Sequence, residues 1–372
     1  MDGRNLSKIK MTDRESLHIL HLTAGSEPGG LSRYILDLSR HMHNLGHTVL
    51  VAGERGAWHD RFAAPAIEWI DLPMTGGPFA LRRAAKRLHQ QLGDRHIDVI
   101  HTHYRRPTIV ARQFQKHHSA PILYTLHLSH MPLRGLRRWF TDFGDYTHAP
   151  SQGAQKWLIE TAKVAREHVT VIPHGIEIAS FPHRDAASQS AARQSLGLLP
   201  TATVAAFVGR LDYPKNAHWM LDVARDNPHA TILLAGEGPD GHKLRVAAAK
   251  GNLTNVLFLG ECDPVPVYHA ADALMLPSLR EGFGLVCAEA MCAGIAVLRT
   301  RTSGTEEMIV ENVTGRSVEI SRDAFRKAAR EFLGDRAPLE KMGNAASNRI
   351  REQFTIERQV AATIELYRRI AG

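Results

Sequence analysis

The sequence predicts an α/β protein of two doubly wound, parallel-sheet, Rossmann-like domains facing a central cleft. Three observations carry this. The chain has 372 residues, long for a single domain. Apolar runs of strand length alternate with amphipathic helical patterns, and the alternation restarts after a polar stretch at 180–194. Several of these runs lead directly into glycine-bearing loops that open helices, the βαβ arrangement whose ligands lie at the strands' C-terminal ends.

In the first half, Leu17-His18-Ile19-Leu20-His21-Leu22 is a strand and Ser26-Glu27-Pro28-Gly29-Gly30 a turn. Leu31, Tyr34, Ile35, Leu38 and Met42 then recur at helical spacing until Gly46. Residues 47–52 and 66–72 suit strands, 79–92 a basic amphipathic helix, and 98–101 a strand running into His103. A helix at 108–116, a strand at 121–126 ending on His127, a strand at 145–149, a helix at 152–162 and a strand at 169–173 follow. Residues 131–140 mix basic, aromatic and apolar side chains, which suits either a membrane surface or a packed helix with a solvated face.

The joint is expected at Pro173-His174-Gly175 and the polar stretch 180–194. Beyond it, strands at 203–208, 230–235, 255–259, 273–277 and 295–298 alternate with helices at 217–225, 240–249 and 265–271. From residue 324 the tail is helical, ending in a helix at about 356–370. The expected organisation is a disordered arm at 1–15, a first domain at 16–176, a second at 177–352 and a last helix at 353–372.

Cys262, Cys287 and Cys292 show no metal spacing and suit a reducing, cytoplasmic setting. The polar N-terminus has no apolar signal-peptide core, and no run reaches the roughly 18 apolar residues of a membrane span. The net charge is +8. Residues 1–175 carry 23 Lys/Arg against 15 Asp/Glu, and the remainder carries 23 of each, so the excess lies in the first half. A basic face admits an anionic small substrate or peripheral contact with an anionic membrane. Nucleic acid is not expected, because no helix-turn-helix, zinc-finger or ribonucleoprotein signature is found.

Chemistry concentrates around Glu281-Gly282-Phe283-Gly284-Leu285-Val286-Cys287-Ala288-Glu289, where a strand feeds a loop that opens a helix. Glycines there let backbone N–H groups approach a ligand, and the helix start favours an anion. Carboxylates at both ends, Glu281 and Glu289, accept hydrogen bonds from hydroxyls. A nucleotide sugar has that form: hydroxyls, a diphosphate, then hydroxyls. Gly209-Arg210-Leu211 follows another strand, with Lys215 on the same loop. Two cations there can hold a diphosphate and stabilise the charge that grows as a sugar–phosphate bond breaks. Gly236-Glu237-Gly238-Pro239-Asp240-Gly241 matches G-x-G-x-x-G after a strand, and Glu261 stands about twenty residues on, as in a dinucleotide site.

Taken together, these stretches resemble the retaining GT-B glycosyltransferases of family 4 (group 1). The matching pieces are Pro28-Gly29-Gly30, Val171-Ile172-Pro173-His174-Gly175-Ile176, Gly209-Arg210-Leu211 with Lys215, and Gly236-Glu237-Gly238-Pro239. Phe258-Leu259-Gly260, Ala271-Asp272 with Pro277-Ser278, and Glu281-Gly282-Phe283-Gly284 with Glu289 complete the ordered set. The resemblance implies an acceptor-binding first domain, a donor-binding second domain, and a last helix crossing back to the first. It implies that Glu281 and the backbone at Phe283 and Gly284 contact the sugar, that Leu285 belongs to the donor site, and that Glu289 binds the ribose. Arg210 and Lys215, beside Gly209, would hold the diphosphate, and the segment around Leu259 would border the base. Gly29, Gly236, Glu237 and Gly238 would line the donor site, and Gly30 would approach the phosphates from the first domain. His127 matches the family's cleft histidine, with His101 and His103 as weaker candidates. Asn216, His174, Ala296 and Ser303-Gly304 depart from the commonest family residues.

The expected activity is metal-independent, retaining hexosyl transfer from a nucleoside diphosphate sugar, a UDP-sugar favoured, with no cofactor, to a glycan or glycolipid such as a lipopolysaccharide core or lipid-linked saccharide. The rivals are an NAD-dependent oxidoreductase using the 236–241 loop and a nucleotide-sugar-binding protein without turnover.

Overall fold

The computed structural model describes residues 16–63, 67–128, 131, 133 and 141–372. The first half contributes seven strands among the described residues: β1 (His18–Gly25), β2 (Thr48–Glu54), β3 (Glu68–Asp71), β4 (Val99–His103), β5 (Ile122–Thr125), β6 (Tyr146–Ala149) and β7 (Val169–Val171). All neighbours pair parallel, in the order β3-β2-β1-β4-β5-β6-β7. Helices α1 (Gly30–Asn44), α2 (His59–Phe62), α3 (Pro78–Leu92), α4 (Arg105–Phe114) and α5 (Gln152–Glu160) make the connections. Parallel crossovers cover both faces of the sheet, which is why β1 and β4 read as near-continuous buried runs. Alternate residues then serve opposite faces. Leu20, Leu22, Leu50 and Ile100 pack with α3 and α4. Ile19, Val49, Val51 and Val99 pack with α1 and the last helix.

The second half repeats the device with β8 (Thr203–Val208), β9 (Ala230–Ala235), β10 (Val256–Gly260), β11 (Ala273–Leu276), β12 (Ala296–Thr300) and β13 (Arg316–Val318), ordered β10-β9-β8-β11-β12-β13. Its helices are α6 (Ala186–Ser195), α7 (Trp219–Asp226), α8 (Gly241–Lys250), α9 (Pro264–Ala270), α10 (Leu285–Cys292), α11 (Thr305–Met308), α12 (Arg322–Gly334) and α13 (Ala337–Gln353). Strand order reverses between β1 and β4 in one sheet and between β8 and β11 in the other. Each reversal opens a crevice beyond the strand ends, where doubly wound folds take ligands.

The chain divides into two compact units, one reaching Ile172 and completed by Ile356–Gly372, the other Pro173–Thr355. The final helix α14 (Ile356–Ala371) packs on α1 and buries Val360, Ile364 and Tyr367 in the first unit. The boundaries expected at 176 and 353 fall a few residues away, for a local reason. Ile176 pairs with Thr355, its N–H donates to the Phe354 carbonyl at 3.0 Å, and the Phe354 ring lies 5.6 Å from that of Phe283. Both chain crossings therefore close inside the second unit.

The polar stretch 180–194 is not a linker but largely α6. Asp185 and Ser188 cap it reciprocally, at 2.7 and 2.9 Å. Its Arg193 is buried against Asp272, which also accepts from the Val204 N–H. The helix is held by charge pairing more than by an apolar stripe, so hydropathy misses it. Short β13 and α2 were likewise not expected. The strand at 66–72 is observed as Glu68–Asp71, with Ala66 outside the described residues. The arm 1–15 and, Met131 and Leu133 apart, the 131–140 segment also lie outside them.

Candidate active site

In the second unit, the loops after β8 and β11 flank the point where strand order reverses. They bring Lys215 and Glu281 together, Nζ to Oε1 at 2.7 Å. Ser278 Oγ donates to the same carboxylate oxygen at 2.6 Å. Glu281 is 6 % exposed. Burial pushes its carboxyl up, but Lys215, Ser278 and buried Arg299 together more than offset this and hold it below its ordinary range. The loops are tied directly, since Leu279 N–H donates to the Pro214 carbonyl at 2.8 Å. Asn216 has φ +63° and reaches the Pro277 carbonyl at 3.3 Å. That left-handed backbone accounts for an Asn at this position, since Asn accepts it more readily than most residues.

Arg210 lies on the same loop, largely exposed and paired with Asp212 at 2.9 Å. Gly284 caps α10 at φ +89°, and a Cβ there would meet Arg299 Nη1 at 3.0 Å. Helix geometry leaves the amides of Leu285 and Val286 without intrahelical acceptors, whereas Cys287 N–H already donates to the Gly284 carbonyl at 2.9 Å. The Phe283 carbonyl accepts from Arg299 Nη1 at 3.1 Å, so a buried guanidinium fixes the loop from below. Arg299 also holds Thr302 Oγ1 at 2.8 Å and the Ser303 carbonyl at 3.3 Å. Inside α10, Glu289 is buried and accepts from the Tyr268 hydroxyl at 2.7 Å.

The 236–241 loop has a different task. A Cβ on Gly236 or Gly238 would collide with the backbone of Gly209 or Leu211, respectively. Leu211 N–H donates to the Glu237 carbonyl at 3.0 Å, and Asp240 N–H to the Leu211 carbonyl at 2.9 Å. Glu237 pairs with Arg245 at 2.6 Å, and Leu259 is half-buried on β10. These glycines are needed for close contact with the Arg210 loop, which explains the fingerprint without a dinucleotide.

In the first unit, α1 begins after Gly29, whose Cβ position is open space. Gly29 lines a cavity of about 370 Å³ with Glu27, Glu54, Arg55 and Arg106. Gly30 is the first residue of α1 and is exposed. His127, after β5, lines a cavity of about 340 Å³ with Tyr104, Arg105 and Tyr124. Its Nε2 lies 2.9 Å from His103 Nδ1, and His103 Nε2 lies 3.1 Å from His21 Nδ1. His101 bonds Tyr367 Oη and Thr125 Oγ1, both at 2.6 Å.

Sequence reasoning missed Arg299, Tyr268 and Ser278 as supports of the site. Arg299 did leave a signal, as the lone charge in the apolar run Ala296-Val297-Leu298-Arg299.

The comparisons agree with this architecture. The model described as "Glycosyl transferases group 1" matches residues 188–349, and that described as "Glycosyltransferase Family 4" matches 28–180. The chain belongs to the group 1, family 4 type of GT-B glycosyltransferase. It is an enzyme of that class. Glycogen synthase of Mycobacterium tuberculosis is 26% identical, over 91% of each chain. D-inositol 3-phosphate glycosyltransferase of Nocardia farcinica is 27% identical, over 92% of this chain and 86% of its own. Among solved structures, Anabaena HepE in complex with UDP-glucose superposes with a TM-score of 0.81 at 22% identity, over 94% of this glycosyltransferase and all of HepE. None of its described helices is long and apolar enough to cross a membrane.

Proposed function

We propose that the protein moves a sugar from a nucleoside diphosphate sugar, a UDP-sugar in the first instance, to an acceptor hydroxyl. Transfer retains anomeric configuration and needs no divalent ion. The observation that carries this is the Lys215–Glu281 pair at the β8/β11 reversal, with Arg210 beside it. Lys215 and Arg210 supply the positive charge that a departing diphosphate requires. Glu281, kept ionised by Lys215, accepts hydrogen bonds from sugar hydroxyls while steering the ammonium. Glu289, oriented by Tyr268, binds ribose hydroxyls. The amides at Gly284 and Leu285 meet the donor's anionic centre, and Leu259 borders the base. His127 bonds a sugar hydroxyl. HepE, solved with UDP-glucose, supports the choice of base.

The acceptor hydroxyl attacks from the face the diphosphate leaves, and a departing phosphate oxygen takes its proton. Trapping a glycosyl-enzyme would sink that route. The relatives are named for glycogen and for inositol phosphate, so their acceptors differ. The excess positive charge of the first half favours an anionic or lipid-linked glycan, a lipopolysaccharide core among them. Peripheral contact with an anionic membrane follows from the same charge, and weakening of vesicle binding by salt is its test.

Calorimetric titration with UDP, GDP, ADP and NAD, repeated on Glu289→Ala, tests the donor assignment. Saturable binding of UDP, weakened by the substitution, is expected. Binding of NAD alone, unaffected by it, would overturn the reading. Product NMR then reads the anomeric configuration, with and without EDTA.

A further inference from the structure

Five histidines crowd one face of the first sheet: His21 on β1, His101 and His103 on β4, His148 on β6, and His127 just beyond β5. His21 and His101 are paired in register, and His103 follows two residues on, so all three project toward α1 and α14. Only one of the five, His127, also lines a cavity described above. The contacts form a line: His127 Nε2 to His103 Nδ1 at 2.9 Å, then His103 Nε2 to His21 Nδ1 at 3.1 Å. At the inner end, His21 Nε2 is buried and has no hydrogen-bond partner among the described residues.

Proton counting fixes the direction of this line. A neutral imidazole carries one N–H, and each N···N contact holds one proton. If His127 Nε2–H donated inward, His103 would donate to His21 Nδ1, and His21 would bury an orphaned N–H. If the line runs outward, His21 Nδ1–H donates to His103 Nε2, and His103 Nδ1–H donates to His127 Nε2. At the inner end, only a lone pair on His21 Nε2 is then left unused. Orphaned buried donors are the rarer and costlier defect. We propose that His21 and His103 are positioning residues that lock His127 as its Nδ1–H tautomer, so that its Nδ1 acts as a hydrogen-bond donor rather than a base. Burial, which holds all three imidazoles neutral, is consistent with this. The assignment rests on the reading of His127 as a substrate contact, and the experiment separates the two.

His21, His101 and His103 nitrogens also lie within 4.8 Å of one another, a spacing compatible with a metal ion. The line favours protons there, because both nitrogens of His101 and both of His103 are already engaged.

The full chain, labelled with ¹⁵N-histidine, reports tautomers directly through two-bond ¹H–¹⁵N correlations, with His127→Gln assigning the signal. A protonated Nδ1 on His127 is expected. His103→Asn keeps an amide donor near the position of Nδ1 and should preserve both the tautomer and most UDP-glucose turnover. His103→Leu should mix the tautomers and lower kcat about tenfold. A protonated Nε2 in the parent protein overturns the proposal even if neither variant folds, as does His103→Leu with unchanged spectrum and turnover. Zinc retained on the His21–His103 pair after dialysis also overturns it, since the metal would replace the bridging proton. Full turnover in His127→Ala would instead remove His127 from the site, while the tautomer assignment stood or fell by its spectrum.

Discussion

The two units place opposite kinds of polarity at the same topological position. At the β8/β11 reversal the second unit holds ionised groups, with Glu281 between Lys215 and Ser278 over the Arg299 guanidinium. From the β1/β4 reversal across to β6 the first unit holds imidazoles that burial keeps neutral, with His21 and His127 pushed down to about 3 and His148 to about 4. A buried charge survives only when opposite charge and hydrogen bonds surround it. A neutral imidazole survives burial with hydrogen bonds alone. One crevice therefore holds compensated charges, and the other neutral, hydrogen-bonded imidazoles.

The comparison can be broken most directly at Lys215. Lys215→Ala should lower turnover by about a thousandfold or more. It also leaves Glu281 buried without its cation, at a stability cost of about 3 kcal/mol. Steady-state kinetics and thermal unfolding read the two effects, and near-normal turnover would remove Lys215 from the site. Gly236→Ala comes next, since its Cβ would collide with the Gly209 carbonyl at a backbone φ of +129°. We expect a loss of about 2–3 kcal/mol in denaturant unfolding, with donor binding weakened through the displaced Arg210 loop.

Acid should separate the units. The five clustered histidines of the first unit, His21, His101, His103, His127 and His148, have folded pKa values below 6.5, so below that pH the unfolded chain binds more protons and stability falls as pH falls. The loss begins near pH 6.5 and continues to about pH 3–4. Glu281 is shifted down, so its contribution is intact above the ordinary carboxyl value and is lost only as pH drops below it. Between pH 6.5 and 5, hydrogen exchange corrected for intrinsic rates should show the first unit loosening by more than about 1 kcal/mol per pH unit, with the Lys215–Glu281 region unchanged. Simultaneous loosening of both would erase the contrast. The smallest effect belongs to Tyr268→Phe. Loss of one hydrogen bond to Glu289 should weaken UDP binding about fivefold by calorimetry, in line with roughly 1 kcal/mol.

Much of this was legible in the sequence because doubly wound sheets write themselves as alternating runs, and loop cations and carboxylates after strands stand out against them. Strand 230–235 was read to the residue, and Lys215 and Glu281 were picked out separately. Their mutual pairing was not, because they lie 66 residues apart and nothing local couples them. Arg299, Tyr268 and His21 lay inside apolar runs, where a buried polar side chain looks like ordinary core. The 236–241 loop misled in the other direction. A glycine needed for contact with protein backbone has the same signature as one needed for contact with a phosphate.

The placement of α14 bears on how the chain acquires its shape during synthesis. The first unit is begun by the first strands to leave the ribosome, but Tyr367 reaches His101 across a sequence separation of 266. The Pro173–Thr355 unit has all its own segments once Thr355 has emerged, while the earlier sheet still shows the apolar face that Val360 and Ile364 will cover. A chain truncated before residue 356 and released should therefore carry one finished half and one sticky half. Chaperones that bind exposed apolar surface should favour the half that was translated first.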